Sequence, residues 1–302
     1  MKTGVLEFGY GGFAKLQEEI ERQGFCTVNL GDCAQSLAVR HVLGQIGIPE
    51  NETVGIDRDD MSSSATEPTV LVMNGVFNPN SLSLPAHIIP AFVGFNAGAQ
   101  AIRTHRDLLR RFQPIGCRDL ATAEILAKHG ISAQVTGCLT LTFPRRASEP
   151  TKPKTIIVYG TGAGALPAGL FEVMPKALLA SVELIFNRIP VPRLPLSPTE
   201  RRFAETVATS ILRKLESEAT LVITPLHHVA APCIAMGIPT VICRKDQHAR
   251  FSSLRTLVPV HTPETFGSID WTPAPIDIES LKAGLMAQAD AAIRRARTFI
   301  HR

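Results

Sequence analysis

Short apolar runs alternate along the chain with longer segments in which apolar residues recur every three or four positions. That alternation predicts strands joined by helices, the arrangement that builds a parallel sheet in an α/β fold. Strands are expected at 26–29, 70–74, 91–95, 156–159, 182–186, 221–224 and 240–243, each brief and mostly apolar. Strands of this kind are covered by helices on both faces, which removes the need for apolar and polar residues to alternate. Helices are expected at 13–22, 32–46, 99–112, 120–129, 198–217, 228–236 and 278–300. Within 198–217, Phe203, Val207, Ile211 and Leu215 recur every four residues and predict one apolar docking stripe, with Arg201, Arg202, Glu205 and Arg213 around it. Leu281, Leu285 and Ile293 fall on one side of the last helix.

A chain of 302 residues exceeds the size at which one core usually keeps growing, so two domains of about 150 residues are expected. The polar, proline-spaced stretch PRRASEPTKP between Pro144 and Pro153 has neither period and marks the boundary. This gives units at 1–145 and 154–302, with the last helix packing back on the first unit.

Composition narrows the class. With 45% hydrophobic and 19% charged residues the chain is that of an ordered globular protein. No apolar run approaches the roughly 20 residues that span a bilayer, and Glu7, Glu18, Glu19 and Glu21 break up any secretory leader, so a cytoplasmic protein is expected. The net charge of +4 is spread out, and the densest cluster, Arg294, Arg295 and Arg297, reads as the solvated face of the last helix, not as a nucleic-acid site. A mildly basic protein also suits an anionic substrate. The six cysteines form no CxxC pair, which argues against a zinc site or a disulfide framework and leaves them as small buried apolar residues.

Five segments carry candidate chemistry, and each also has a purely structural reading. In VNLGD (28–32), Asn29, Gly31 and Asp32 stand where a strand meets a helix, with Gln35 one turn on; the free amides there suit an anion or hydroxyl, and Asp32 either caps the helix or holds a sugar hydroxyl. In VMNGVF (72–77), Asn74 and Gly75 end a strand at the sheet edge where α/β proteins bind ligands, or form a simple turn. In IGCRDLAT (115–122), Arg118 can grip a carboxylate or phosphate while Asp119 caps the next helix. In TGCLTLTFPRR (136–146), Thr140 and Thr142 offer hydroxyls beside the boundary. In VITPLHHVAAPCIAMGIPTVI (222–242), a strand leads through Thr224 and Pro225 to a helix that starts with histidine, where the dipole favours the neutral imidazole. Two adjacent histidines do not easily face one cleft, so one of them is expected to point away. The run YGTGAGALPAG (159–169) lacks the GxGxxG spacing and reads as a flexible loop at the cleft. GxxxxGK[ST], HExxH and GxSxG are absent, which counts against kinase, zinc protease and hydrolase readings.

Taken in order, NLGD with Gln35, NG after a strand, IPAFVGFNAG, QPIGCRD, TGCLTLTFP and VITPLHHVAAPCIAMGIP resemble the polysaccharide pyruvyl transferase family over most of the chain. The resemblance implies two Rossmann-like domains facing a cleft, similar to GT-B glycosyltransferases, and transfer of pyruvate from phosphoenolpyruvate to a sugar as a ketal, with no metal and no cofactor beyond that co-substrate. It places His228 at the family's catalytic histidine, His227 at a leucine, and Leu226 where the family has a donor-binding arginine; Arg250, in an RF segment, is the preferred substitute, with Arg118 and Arg244 as others. It further implies that Arg118 and Arg250 hold phosphate and carboxylate, and that Asn29, Asp32 and Asn74 position the acceptor. The acceptor is then a sugar or a lipid-linked oligosaccharide of an exopolysaccharide, reached in the second case by transient contact with a membrane surface; self-association into a homo-oligomer is left open. Two rival readings stand beside it, a nucleotide-sugar glycosyltransferase of similar fold and a non-catalytic scaffold in polysaccharide assembly.

Overall fold

The computed structural model describes residues 1–64 and 67–299. Its first part contains β1 (Lys2–Glu7), α1 (Ala14–Gln23), β2 (Cys26–Asn29), α2 (Leu30–Gln45), β3 (Thr53–Asp57), β4 (Thr69–Val72), β5 (Ile88–Ala91) and α3 (Leu120–Lys128). The second contains β6 (Thr155–Tyr159), β7 (Val182–Phe186), β8 (Arg188–Val191), α4 (Pro198–Glu218), β9 (Leu221–Thr224), α5 (His227–Ala235), β10 (Thr240–Cys243), β11 (Val260–His261) and α6 (Glu279–Arg297). Two parallel sheets result, ordered β3-β1-β4-β5 and β7-β6-β9-β10-β11. The protein is therefore of mixed α/β class with parallel sheets.

The fully apolar strands behave as their composition requires: β4, β9 and β10 are buried at every residue. Central strand β1 escaped the sequence reading because Lys2, Thr3 and Gly4 leave only Val5 and Leu6 as an apolar pair. Gly4 is needed there, since a Cβ would lie 2.9 Å from Leu71 Cδ1 and 3.0 Å from Ile56 Cγ1.

Strand β2 departs from expectation. It joins neither parallel sheet but pairs antiparallel with β8, with Asn29 opposite Arg188 and Cys26 opposite Val191. Its burial alternates along the strand, as in a ribbon with one covered face. Arg188 donates from Nε to Thr27 Oγ1 at 2.7 Å and from Nη2 to the Thr27 carbonyl, and Leu30 N donates to the Asn187 carbonyl at 3.2 Å. The ribbon thus ties the two sheets together. Strand β7 is an edge strand with Leu184 and Phe186 exposed, not covered on both faces. The expected helix over 99–112 is two helices, Ala99–Thr104 and Arg106–Arg111, broken at His105, whose Nε2 lies 2.6 Å from the Pro79 carbonyl.

Helix α4 starts at a capping box, in which Glu200 N donates to Ser197 Oγ and Ser197 N donates to Glu200 Oε2, with Pro198 in the first turn. Its buried face is Ala204, Ala208 and Leu215, while Phe203, expected in the stripe, is 60% exposed. The small alanines let α2 approach closely, and Leu30 packs between them; closeness of contact outweighs side-chain size in choosing the face. The same correction applies to α6, where Leu285, Ala289, Ala292, Ile293 and Ala296 are buried and Leu281 is exposed. Ile300, the expected end of this helix, lies outside the described residues. Arg294 pairs with Asp290, but Arg295 and Arg297 are not simply solvated, because they donate to the Pro114 carbonyl and to Thr3 Oγ1.

One apolar cluster runs from the first sheet through Ala230, Ala231 and Ile234 of α5 to Leu285 and Ile293 of α6. Two smaller clusters contain inward residues of the second sheet. Helix α5, buried along its whole length, belongs to both sides. Because α6 closes the core of the first sheet, Leu285→Ala is expected to cost about 2–5 kcal/mol of stability, read as a lower urea midpoint; an unchanged midpoint would show that α6 is not part of that core.

Candidate functional site

The site forms where β9 ends and α5 begins. Thr224 Oγ1 donates to the Val158 carbonyl at 2.7 Å and accepts from Leu226 N at 3.1 Å, which fixes the turn. The Pro225 carbonyl accepts from Arg244 Nη1 at 2.6 Å, and this ties the turn to the end of β10. The chain then enters α5 with non-helical angles at His228 (φ −84°, ψ 15°). This kink is why both histidines line one cavity, against the expectation that adjacent residues diverge. Their ring centroids are 5.1 Å apart and the rings are nearly perpendicular; His227 also meets the Phe251 ring edge-on.

The cavity holds about 120 Å³ and is walled by Asn29, Gly31, Gly164, Asn187, His227, His228, Arg244 and Arg250. Gly31 is required at the contact between α2 and α5, since a Cβ there would lie 3.0 Å from His228 Cβ. Asn29 caps α2 by accepting from Gly31 N at 3.1 Å. On the other wall, Leu226 packs against the glycine-rich loop, where a Cβ on Gly164 would come within 2.6 Å of Leu226 Cδ2. That loop is closed on itself by Gly160 N donating to the Gly164 carbonyl at 2.8 Å.

Positive charge dominates the surroundings. Arg118 is fully buried; it donates from Nη2 to Gln35 Oε1 at 2.6 Å, and its Nε and Nη1 have no protein partner. Arg244 lies over the Phe251 ring at 4.4 Å. The Nε atoms of Arg244 and Arg250, both ring nitrogens of His227 and Nε2 of His228 are likewise buried without partners. Burial, then the charge of Arg118, pushes both imidazoles well below their ordinary value, so they are neutral at pH 7. Burial, then Arg118, also lowers Arg250. Asp32 does not reach this group directly: it accepts from Tyr10 Oη at 2.8 Å and from Gln35 Nε2 at 2.9 Å, forming a chain Tyr10–Asp32–Gln35–Arg118.

Buried donors that lack acceptors are costly, and here several converge on a space large enough for a small molecule. A small anion with several oxygen atoms satisfies them. Cys138, buried as expected, also lies with His227 and His228 so that their ligand-type atoms are within 4.8 Å of one another. That donor set suits a soft divalent cation, but the charges of Arg118, Arg244 and Arg250 favour an anion.

The other candidate residues divide. Asn74 is buried, with Oδ1 accepting from Leu139 N at 3.2 Å and Nδ2 unpartnered, and the Thr140 hydroxyl is buried and unpartnered as well. Asp119 caps α3, accepting from Thr122 N at 2.9 Å and from Asn96 Nδ2 at 2.5 Å, so its carboxylate is committed to structure. The hydroxyl of Thr224 is committed to the turn, and Gly75 packs against Leu6 and Phe77 outside the cavity wall. Tyr10 was missed; its signal was an aromatic residue among glycines, FGYGGF, directly after a strand. Asn187 had no local signal, because only the β2–β8 ribbon brings it here.

No curated protein matches the chain. Among solved structures, an uncharacterized protein from Klebsiella pneumoniae subsp. pneumoniae is similar, with 12% identity and a TM-score of 0.47 over 85% of this chain and 88% of that one. The family model described as polysaccharide pyruvyl transferase matches residues 29–246, a span that begins at the cap of α2 and takes in the histidines of α5 and Arg244. The chain belongs to the polysaccharide pyruvyl transferase family.

Proposed function

We propose that the protein transfers the pyruvyl group of phosphoenolpyruvate to two hydroxyls of a sugar, forming a ketal on an exopolysaccharide unit or its lipid-linked precursor. The observation that carries this reading is one small cavity walled by His227, His228, Arg244 and Arg250, each with a buried unpartnered nitrogen, with the buried Arg118 guanidinium close enough to lower the pKa of both imidazoles. Phosphoenolpyruvate offers a phosphate and a carboxylate, which match such a set. In this reading the units 1–145 and 154–302 are Rossmann-like domains on the acceptor and donor sides, similar in arrangement to GT-B enzymes.

The reaction needs a proton at the methylene carbon and an attacking hydroxyl at C2. The methylene carbon takes a proton as one sugar hydroxyl adds to C2 and gives up its own; the C2–O bond to phosphate then breaks, and the second hydroxyl closes the ketal, its proton leaving with the phosphate. Phosphate is the only other product. His228 exchanges the proton, while Arg118, Arg244 and Arg250 hold phosphate and carboxylate and take up the charge that the family carries on an arginine at position 226. Asn29 orients the acceptor, while Asp32 acts through Gln35 on Arg118.

Neutral histidines cannot supply the proton that the methylene carbon needs. Binding a multiply charged anion cancels the guanidinium field and stabilises the imidazolium, so the pKa rises on binding and the donor brings its own proton to the site. At pH 7 the complex is then expected to take up protons, measured by calorimetry of phosphoenolpyruvate binding in buffers of different ionisation enthalpy. Equal heats in all buffers would remove this account of the proton.

Two substitutions separate binding from chemistry. His228→Ala is expected to lower kcat by about 10²–10⁴, followed as phosphate release and as pyruvate on the glycan with a lysate fraction of lipid-linked saccharides. Arg118→Met is expected to weaken phosphoenolpyruvate binding roughly 10- to 100-fold, the size of lost hydrogen bonds to a charged group. Wild-type protein that neither binds phosphoenolpyruvate nor releases phosphate with any acceptor would overturn the assignment.

A further inference from the structure

A second, larger cavity of about 580 Å³ lies between α2 and α4, against the end of β1. Asn29 lines both this groove and the small cavity. On α2 the groove is faced by Asn29, Cys33, Ser36 and Arg40, which recur at three- and four-residue intervals along one side of the helix.

Its charge differs in kind from that of the small cavity. Arg40 pairs with Glu7 at 3.1 Å and with Glu205 at 3.6 Å, and Arg201 pairs with Glu7 at 3.2 Å and with Asp57 at 3.0 Å. Among these half-buried groups the signs alternate and nearly cancel, while Arg202 and Arg213 stand exposed along α4, so the inner wall of the groove is neither an anion trap nor a cation trap. Half-buried carboxylates and guanidiniums with lone pairs and N–H groups to spare suit paired hydroxyls, which accept and donate together. Tyr10, at the groove's inner end, holds a left-handed backbone conformation (φ 61°), uncommon for a residue other than glycine, and its hydroxyl binds Asp32. The two spaces thus differ in size and charge and meet at Asn29.

We infer that the α2–α4 groove is the acceptor site, that it takes neutral hexose units, and that it delivers the terminal sugar at Asn29. This rests on the transfer reading above and adds the place and polarity of the acceptor. Glu205 and Arg40 select the saccharide; Thr206, exposed on α4, borders its path.

The test needs no turnover. Saturation-transfer difference NMR is recorded with methyl hexopyranosides and lactose as probes, using wild type, Glu205→Gln and the groove-filling Thr206→Trp, with and without phosphoenolpyruvate. Wild type is expected to transfer saturation to at least one probe, Thr206→Trp to abolish it and Glu205→Gln to weaken it about tenfold, while phosphoenolpyruvate binding by calorimetry stays unchanged in both variants and their melting temperatures match wild type. Saturation transfer undiminished in Thr206→Trp, or absent from every probe in wild type at millimolar sugar, overturns the assignment of the groove. Failure to bind phosphoenolpyruvate, with sugar binding intact, would instead overturn the donor reading and leave the groove standing.

Discussion

Three guanidiniums and two neutral imidazoles are buried close to one another, with Arg244 paired to Asp246 at 3.3 Å and several nitrogens left without a partner, and the rest of the structure is arranged to tolerate this. Like charges held together out of water are expensive. The surrounding chain offsets part of that cost with fixed acceptors: the Pro225 carbonyl for Arg244, Gln35 for Arg118 and the Phe251 ring beneath Arg244.

Holding such a site open requires rigid walls. The helix that carries the histidines is buried along its length and shares apolar contacts with both sides of the molecule, so it cannot shift without disturbing either core. Gly31 lets α2 come against His228, and the β2–β8 ribbon fixes the entry into α2 by pairing it with a strand from the second sheet. The chain Tyr10–Asp32–Gln35–Arg118 then links the end of β1 to the deepest guanidinium. A change at Tyr10 can in this way be felt at Arg118 without touching the cavity.

Two spaces of different size and charge share Asn29 as a wall residue. The small cavity is walled by Arg244, Arg250 and two histidines with unpartnered nitrogens, and the larger groove by paired side chains of both signs.

The sequence by itself determined the longer helices and four of the five strands of the second sheet, but only β4 of the first, where the expected strand at 91–95 lies instead at Ile88–Ala91, because apolar period and run length act within a few residues. Cys26–Asn29, Val182–Phe186, Leu221–Thr224 and Thr240–Cys243 were legible to the residue, and the ordered motifs disclosed the family. His228, Arg118 and Arg250 were legible as chemistry at strand-to-helix junctions. What only the tertiary structure decided was partnership. It sent β2 to a strand some 160 residues away, turned Phe203 outward in favour of two alanines, spent the Asp119 carboxylate and Thr224 hydroxyl on caps and turns, and brought Tyr10, Cys138, His227 and Asn187 to the site. The reason is physical: a local pattern fixes which face of an element is apolar, but which residues meet across elements depends on how closely those faces approach, and that is settled only when all of them pack at once.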